Sequence, residues 1–212
     1  MKKVVSILCI GLFLLSGFGT IATKNDSMDT RSMQTMTETV PVDVSSLQII
    51  QWSDTYVSLG LGDEETYLLN PGQPMLPRII RHYEVPFGAT NVLVEAQPRE
   101  IQQQIVTKPI RPAPPPVSYS EPSQTIRLSE KDTQVYTSDA LFPDSWFGFH
   151  VGCGLNAQGD HVTHVTVNLF PVRYRPASGE LQVAREFTIT LRYQPPTYSI
   201  FPAATIYDLV II

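Results

Sequence analysis

Two thiols and four imidazoles, Cys9, Cys153, His82, His150, His161 and His164, are the groups in this 212-residue sequence best suited to nucleophilic or metal chemistry. Cys9 lies inside an apolar run near the N-terminus. Cys153 sits in Val151-Gly152-Cys153-Gly154, where the flanking glycines offer the thiol neither a base nor an anion pocket, and no third orienting group is identifiable. It reads as a small buried hydrophobe. His161-Val162-Thr163-His164 is the one pair with suggestive spacing. The text around it is a strand, where positions three apart point to opposite faces, which disfavours a shared metal. No cysteine or carboxylate cluster completes a zinc set. Gly-x-Ser-x-Gly and both phosphate-binding glycine patterns are absent, and Gly152 to Gly159 is explained by turn geometry. The expectation is a chain without catalytic residues, metal or cofactor. Trp52, Trp146, Phe147 and Phe149 could line a glycan groove, but inward packing in a β core accounts for them more simply.

The chain opens with Met1-Lys2-Lys3 and an apolar run from Val4 to Leu15, the pattern of a signal peptide with cleavage between Gly19 and Thr23. The run is short for a bilayer span, and polar residues follow it. We therefore assign residues 1–22 to a signal peptide, making the signal segment the only expected membrane contact and the protein secreted or displayed at the cell surface. Export would remove Lys2 and Lys3 and move the net charge from −5 to about −7. An acidic domain has no electrostatic reason to hold nucleic acid. It would also leave Cys153 without an intramolecular partner, so the fold must rest on apolar burial.

Residues 23–45 are rich in Ser, Thr, Met and Asp without sustained periodicity and read as a flexible lead-in. Structure is expected from about Leu47, through short β-rich runs at 47–52, 56–59 and 67–69. Pro71, Pro74 and Pro77 then fall within seven residues; they remove backbone donors and restrict φ, giving a stiff extended crossing. Residues 91–96 and 101–107 look like the arms of a hairpin around Pro98-Arg99-Glu100. Lys108 to Pro122 forms a second proline-rich crossing, expected to present Arg111 and Tyr119 on an exposed path. The clearest signal comes last. Val165, Val167 and Leu169, and then Phe187, Ile189, Leu191 and Tyr193, alternate with polar residues, the period of half-buried antiparallel strands. With Pro176-Ala177-Ser178-Gly179 as a turn, residues 161–193 read as one long hairpin, and Pro171 marks an edge or bulge. The fold class is all-β, an antiparallel two-sheet sandwich over residues 46–196.

Four segments in order resemble a known family, the N-terminal propeptides of gingipain-type (C25) cysteine peptidases. They are Gly72-Gln73-Pro74-Met75-Leu76-Pro77, Val85-Pro86-Phe87-Gly88-Ala89, Pro109-Ile110-Arg111-Pro112-Ala113-Pro114-Pro115, and Phe170-Pro171-Val172-Arg173-Tyr174-Arg175-Pro176-Ala177-Ser178-Gly179-Glu180-Leu181. The resemblance implies a jelly-roll-like sandwich that assists folding of the peptidase domain following it and keeps that domain latent. Residues 197–206 would be a linker and 207–212 the truncated first strand of the peptidase, whose catalytic His and Cys lie beyond this chain. The implied partner is a cognate C25-like peptidase domain, in cis or in trans. If that partner prefers basic side chains at its cleavage position, a loop-borne arginine would fill its pocket: Arg127, which has the weakest structural excuse, or Arg111 or Arg175. The competing class is an adhesion or carbohydrate-binding β-sandwich at the cell surface, which leaves the apolar terminus Leu209 to Ile212 without a purpose.

Overall fold

Alternation of apolar and polar residues along two strands decides where the core lies. In a computed structural model, which describes residues 32–62, 66–116 and 130–197, Phe187, Ile189, Leu191 and Tyr193 on one strand and Thr163, Val165, Val167 and Leu169 on another are all buried, while the residues between them are not. In order along the chain the elements are β1 (Gln34–Pro41), a 3-10 turn at Val44–Ser46, β2 (Leu47–Gln51), β3 (Val57–Leu61), β4 (Thr66–Tyr67), β5 (Pro77–Pro86), β6 (Thr90–Arg99), β7 (Gln102–Ile105), a short helix α1 (Thr133–Tyr136), β8 (Phe147–Leu155), β9 (His161–Leu169), β10 (Val172–Arg175), β11 (Glu180–Val183) and β12 (Glu186–Gln194). The fold is all-β, as the period-two pattern predicts, and jelly-roll-like, as the family resemblance implies. Among the described residues no helix is long and apolar enough to cross a membrane.

Two sheets face one another over the main core. One has the order β1-β12-β6 and the other β4-β5-β9-β8, with every named pairing antiparallel. Val40, Val85, Val94, Val165, Val167, Leu169, Phe187, Ile189 and Leu191 fill the space between them. The Trp146 ring meets Phe187 edge-on at 6.2 Å between centroids, a favoured aromatic geometry. A second apolar cluster holds the other end of the molecule together. There β10-β11-β7 and β2-β3 enclose Val57, Leu59, Leu76, Ile110, Val172, Tyr174, Leu181 and Val183.

The two clusters are joined at a fork. β10 and β11 form a hairpin through residues 176–179, as the turn signal predicts. Gly179 adopts φ +73° and accepts a hydrogen bond from the Val106 N–H (2.9 Å); any Cβ at that position would collide with the Val106 carbonyl oxygen. Beyond the hairpin, the Ala184 N–H donates to the Pro171 carbonyl (2.9 Å). Past this rung the arms separate: β9 pairs with β5 and β8, whereas β12 pairs with β1 and β6. The expectation of one hairpin over 161–193 is thereby corrected. Its shorter half, around the Pro176 turn, is a hairpin, and its longer half is the two facing layers of a sandwich.

Residues 91–107 are corrected in the same way. β6 runs straight through Pro98, which stands opposite Phe187 on the edge of its sheet, where a missing N–H costs no ladder bond. The corner comes at Glu100, with φ +50°, and β7 continues alongside β11. A bent pair of long strands, β6–β7 against β11–β12, therefore runs from one core to the other. The flexible lead-in proposed for residues 23–45 is also corrected over 34–41. β1 pairs with β12 along its whole length, from Gln34 opposite Tyr193 to Pro41 opposite Glu186. It eluded the sequence reading because, as an edge strand, it buries one side chain deeply, Val40. Residues 1–31 and 198–212, including the signal segment, the bulk of the linker and the terminal strand, lie outside the described residues.

Arg175 and Glu180 close the β10–β11 hairpin with a 3.1 Å contact from Nε to the carboxylate. A hydrogen bond from the Gln182 amide and then this arginine hold the Glu180 carboxyl below its ordinary value of 4.5. A depressed carboxyl contributes stability above the ordinary value and loses it as pH falls through the folded value. Glu180→Gln should thus lower stability near neutral pH, with the difference from the parent shrinking as urea melts are taken below about pH 4.5. Phe187→Ala should cost about 3–5 kcal/mol in urea unfolding. Deleting residues 32–41 should lower Tm measurably, whereas removal of a merely flexible lead-in would leave it unchanged.

Candidate functional site

The thiol and the imidazoles are not assembled into a catalytic group among the described residues. Cys153 is opposite Thr163 on β9 and its Sγ lies 3.8 Å from the Thr163 hydroxyl. It is exposed, not buried as expected, because β8 is an outer strand and the facing sheet covers it incompletely. His150 and His164 project from the opposite face of the same sheet, following the two-residue alternation. His164 Nε2 lies 3.3 Å from the Leu155 carbonyl oxygen, and the His82 ring contacts the Thr166 hydroxyl at 3.0 Å. His161 shares the face of Cys153, but its ring meets Phe87 edge-on at 5.7 Å. Among the described residues no group of three or more His, Cys, Asp or Glu side chains is placed to hold a metal ion.

The proline-rich crossings form the distinctive surface. Each keeps backbone donors between its prolines: the Met75 N–H donates to the Arg111 carbonyl (3.0 Å) and the Ala113 N–H to Gln73 (2.8 Å), joining the two crossings, while the Arg111 N–H donates to Val57 of β3 (2.8 Å). Ile110 and Ala113 point inward with no exposed surface. The second crossing is therefore part of the core over 109–113, and the exposed path expected for it is corrected there. A cleft of about 490 Å³ opens beside this layer, walled by Leu68, Val135, Leu141, Phe142, Pro143 and Phe170, with Asn70, Gln134, Ser138 and Asp144 as its polar groups.

Of the three arginines singled out from sequence, two are engaged by the fold. The Arg111 guanidinium lies over the Trp52 ring at 5.4 Å from its centroid, a favourable cation–π distance. Arg175 binds Glu180 and also donates to the Asp139 carbonyl. A third arginine not singled out, Arg173, is anchored likewise: it donates to the carbonyls of Pro143 (2.9 Å) and Asp144 (2.7 Å) and lies 5.1 Å from the centroid of Trp146. Arg127 and Tyr119 lie outside the described residues. The described residues on either side of 117–129 are tied together. The Gly72 N–H donates to the Ala113 carbonyl (3.0 Å) before the segment, and the Asp132 N–H donates to the Gly72 carbonyl (2.9 Å) after it. Gly72, at φ +80°, is the residue both flanks share. Asp132 then caps α1, accepting from the N–H groups of Gln134 and Val135, and the Tyr136 hydroxyl donates to the Ile110 carbonyl (2.6 Å). Sequence reading identified Asn70-Pro71-Gly72 as a stiff crossing but missed this anchoring role, which depends on contacts some 40 to 60 residues away.

The comparisons with known proteins agree with this architecture. Residues 28–209 match the family described as Propeptide_C25. No curated protein matches the sequence. Two solved structures share the fold. One is a complex of the Porphyromonas gingivalis RgpB pro- and mature domains, at 18% identity and a TM-score of 0.60, covering 82% of this chain and 84% of that chain. The other concerns the zymogenic latency of gingipain K from Porphyromonas gingivalis, at 14% identity and a TM-score of 0.53, covering 79% of this chain and 95% of that chain. With the family match extending from before β1 to beyond β12, this chain belongs to the C25 peptidase propeptides.

Proposed function

We propose that this chain helps a gingipain-type cysteine peptidase domain to fold and masks its active site until the two are separated. A sandwich with two apolar cores is preorganised, so docking it beside a partner's cleft orders little additional chain and keeps substrate out at small entropic expense. The observation that carries this reading is the paired anchoring of Ala113 and Asp132 on Gly72. It brings Ala113 and Asp132, the described residues on either side of 117–129, onto one turn. The solved complex of RgpB pro- and mature domains supports a peptidase domain as the partner, in cis or in trans.

Within this reading Arg127 is the residue that enters the partner's specificity pocket. Arg111 and Arg175 serve the propeptide itself, since withdrawing either head would lose the stacking on Trp52 or break the contact with Glu180. Secretion, with residues 1–22 as the signal segment and 197–206 as the linker to the peptidase, completes the proposal. The adhesion reading rests on exposed aromatics; Trp52 and Phe149 are exposed, but Arg111 stacks on Trp52 and Arg173 on Trp146, and the family match favours the propeptide reading.

The test is inhibition of a C25 catalytic domain by the full chain added in trans. The unaltered chain is expected to inhibit. Arg127→Ala should weaken inhibition by about 30-fold or more, the scale of a central interface residue, while Arg111→Ala and Arg175→Ala chiefly lower thermal stability. Unchanged inhibition by Arg127→Ala would discard that residue's role, and no inhibition by the parent chain would discard masking itself.

A further inference from the structure

Strand β8 lacks the devices by which an outer strand keeps itself from pairing. Edge strands are ordinarily blunted by charge, proline, a bulge or shortness. β8 runs nine residues, Phe147-Gly148-Phe149-His150-Val151-Gly152-Cys153-Gly154-Leu155, without Lys, Arg, Asp, Glu or Pro, and it follows β9 in unbroken register. Among the described residues no strand lies along its other side. One row of side chains is apolar and open to solvent, with Phe149 44%, Val151 37% and Leu155 57% exposed and Cys153 also exposed. The other row is Gly148, His150, Gly152 and Gly154, which is nearly bare backbone.

The order of residues selects what fits. Taken about Val151, the strand is close to a palindrome in residue class. Phe147 mirrors Leu155, Gly148 mirrors Gly154 and Phe149 mirrors Cys153; His150 mirrors Gly152. A two-fold axis through Val151 would set β8 antiparallel to the same strand of a second copy and turn each mirror couple into a cross-strand pair. Apolar side chains then meet apolar side chains on one face. On the other face each residue has a glycine opposite, so the His150 imidazole is not crowded. No like charges are brought together, although the chain as a whole carries −5. We propose that this chain forms a two-fold dimer through β8, joining two β4-β5-β9-β8 sheets into one of eight strands. Cys153 faces Phe149 of the second copy in this register and not its own counterpart, so the association is non-covalent.

Sedimentation velocity of the full chain across the micromolar range is expected to show a dimer, and a chain monomeric throughout would overturn the proposal. Val151→Lys and Val151→Glu each place two like charges at the axis and should each abolish dimerisation. An equimolar mixture of the two should recover it as a heterodimer, which a misfolded variant could not do. A Val151→Lys protein that remains dimeric puts the contact elsewhere and overturns the proposal. In a Cys9→Ser background, adding Phe149→Cys should give a covalent dimer under mild oxidation, while the background protein alone gives none; the reverse result overturns the register. A monomer whose binding to a C25 catalytic domain is weakened by Val151→Lys would assign the edge to that domain instead.

Discussion

The hydrogen bond from Ala184 to Pro171 marks the place on which the architecture turns. On one side of it two strands are paired as a hairpin; on the other, the same two strands are the middle of opposite sheets. A proline carbonyl can accept although its nitrogen cannot donate, so Pro171 is able to close the last rung and allow the ladder to stop there. The buried rows of β9 and β12 then face one another across the gap, and the burial of Val165, Val167, Leu169, Phe187, Ile189 and Leu191 contributes on the order of 1.5–3 kcal/mol for each large side chain before entropy is counted. Without the separation these residues would share one sheet, with no facing layer to bury them.

Strand existence was legible in the sequence because alternation is a local property. Strand partnership was not. The arms of 161–193 and of 91–107 were both read as hairpins, since a turn signal between two apolar runs describes a hairpin and a sheet-changing corner equally well. What separates the two is a contact made far away, such as Glu100 turning the chain so that β7 can follow β11. β1 was missed for a related reason: its neighbour β12 supplies the apolar surface, and the strand itself contributes Val40 and backbone bonds. The proline-rich crossings look stiff in sequence, but proline composition says nothing about Ile110 and Ala113 being fully buried.

The same division holds for the candidate site. His161 and His164 have opposite parity on β9, and the alternation that separates His150 from Cys153 is the one that forms the sheet. Arginines were harder to rank, since a guanidinium on an aromatic ring or a main-chain carbonyl looks in sequence like one awaiting a partner. Arg111, Arg173 and Arg175 each found an internal role.

The turn at Gly72 carries one more implication. Because the chain before residue 117 is tied to it through Ala113 and the chain after 129 through Asp132, a single nick in the intervening stretch would sever the covalent thread without parting the fragments. Ile110 stays packed and Tyr136 stays bonded to it. Such a cut would produce a clipped but intact body.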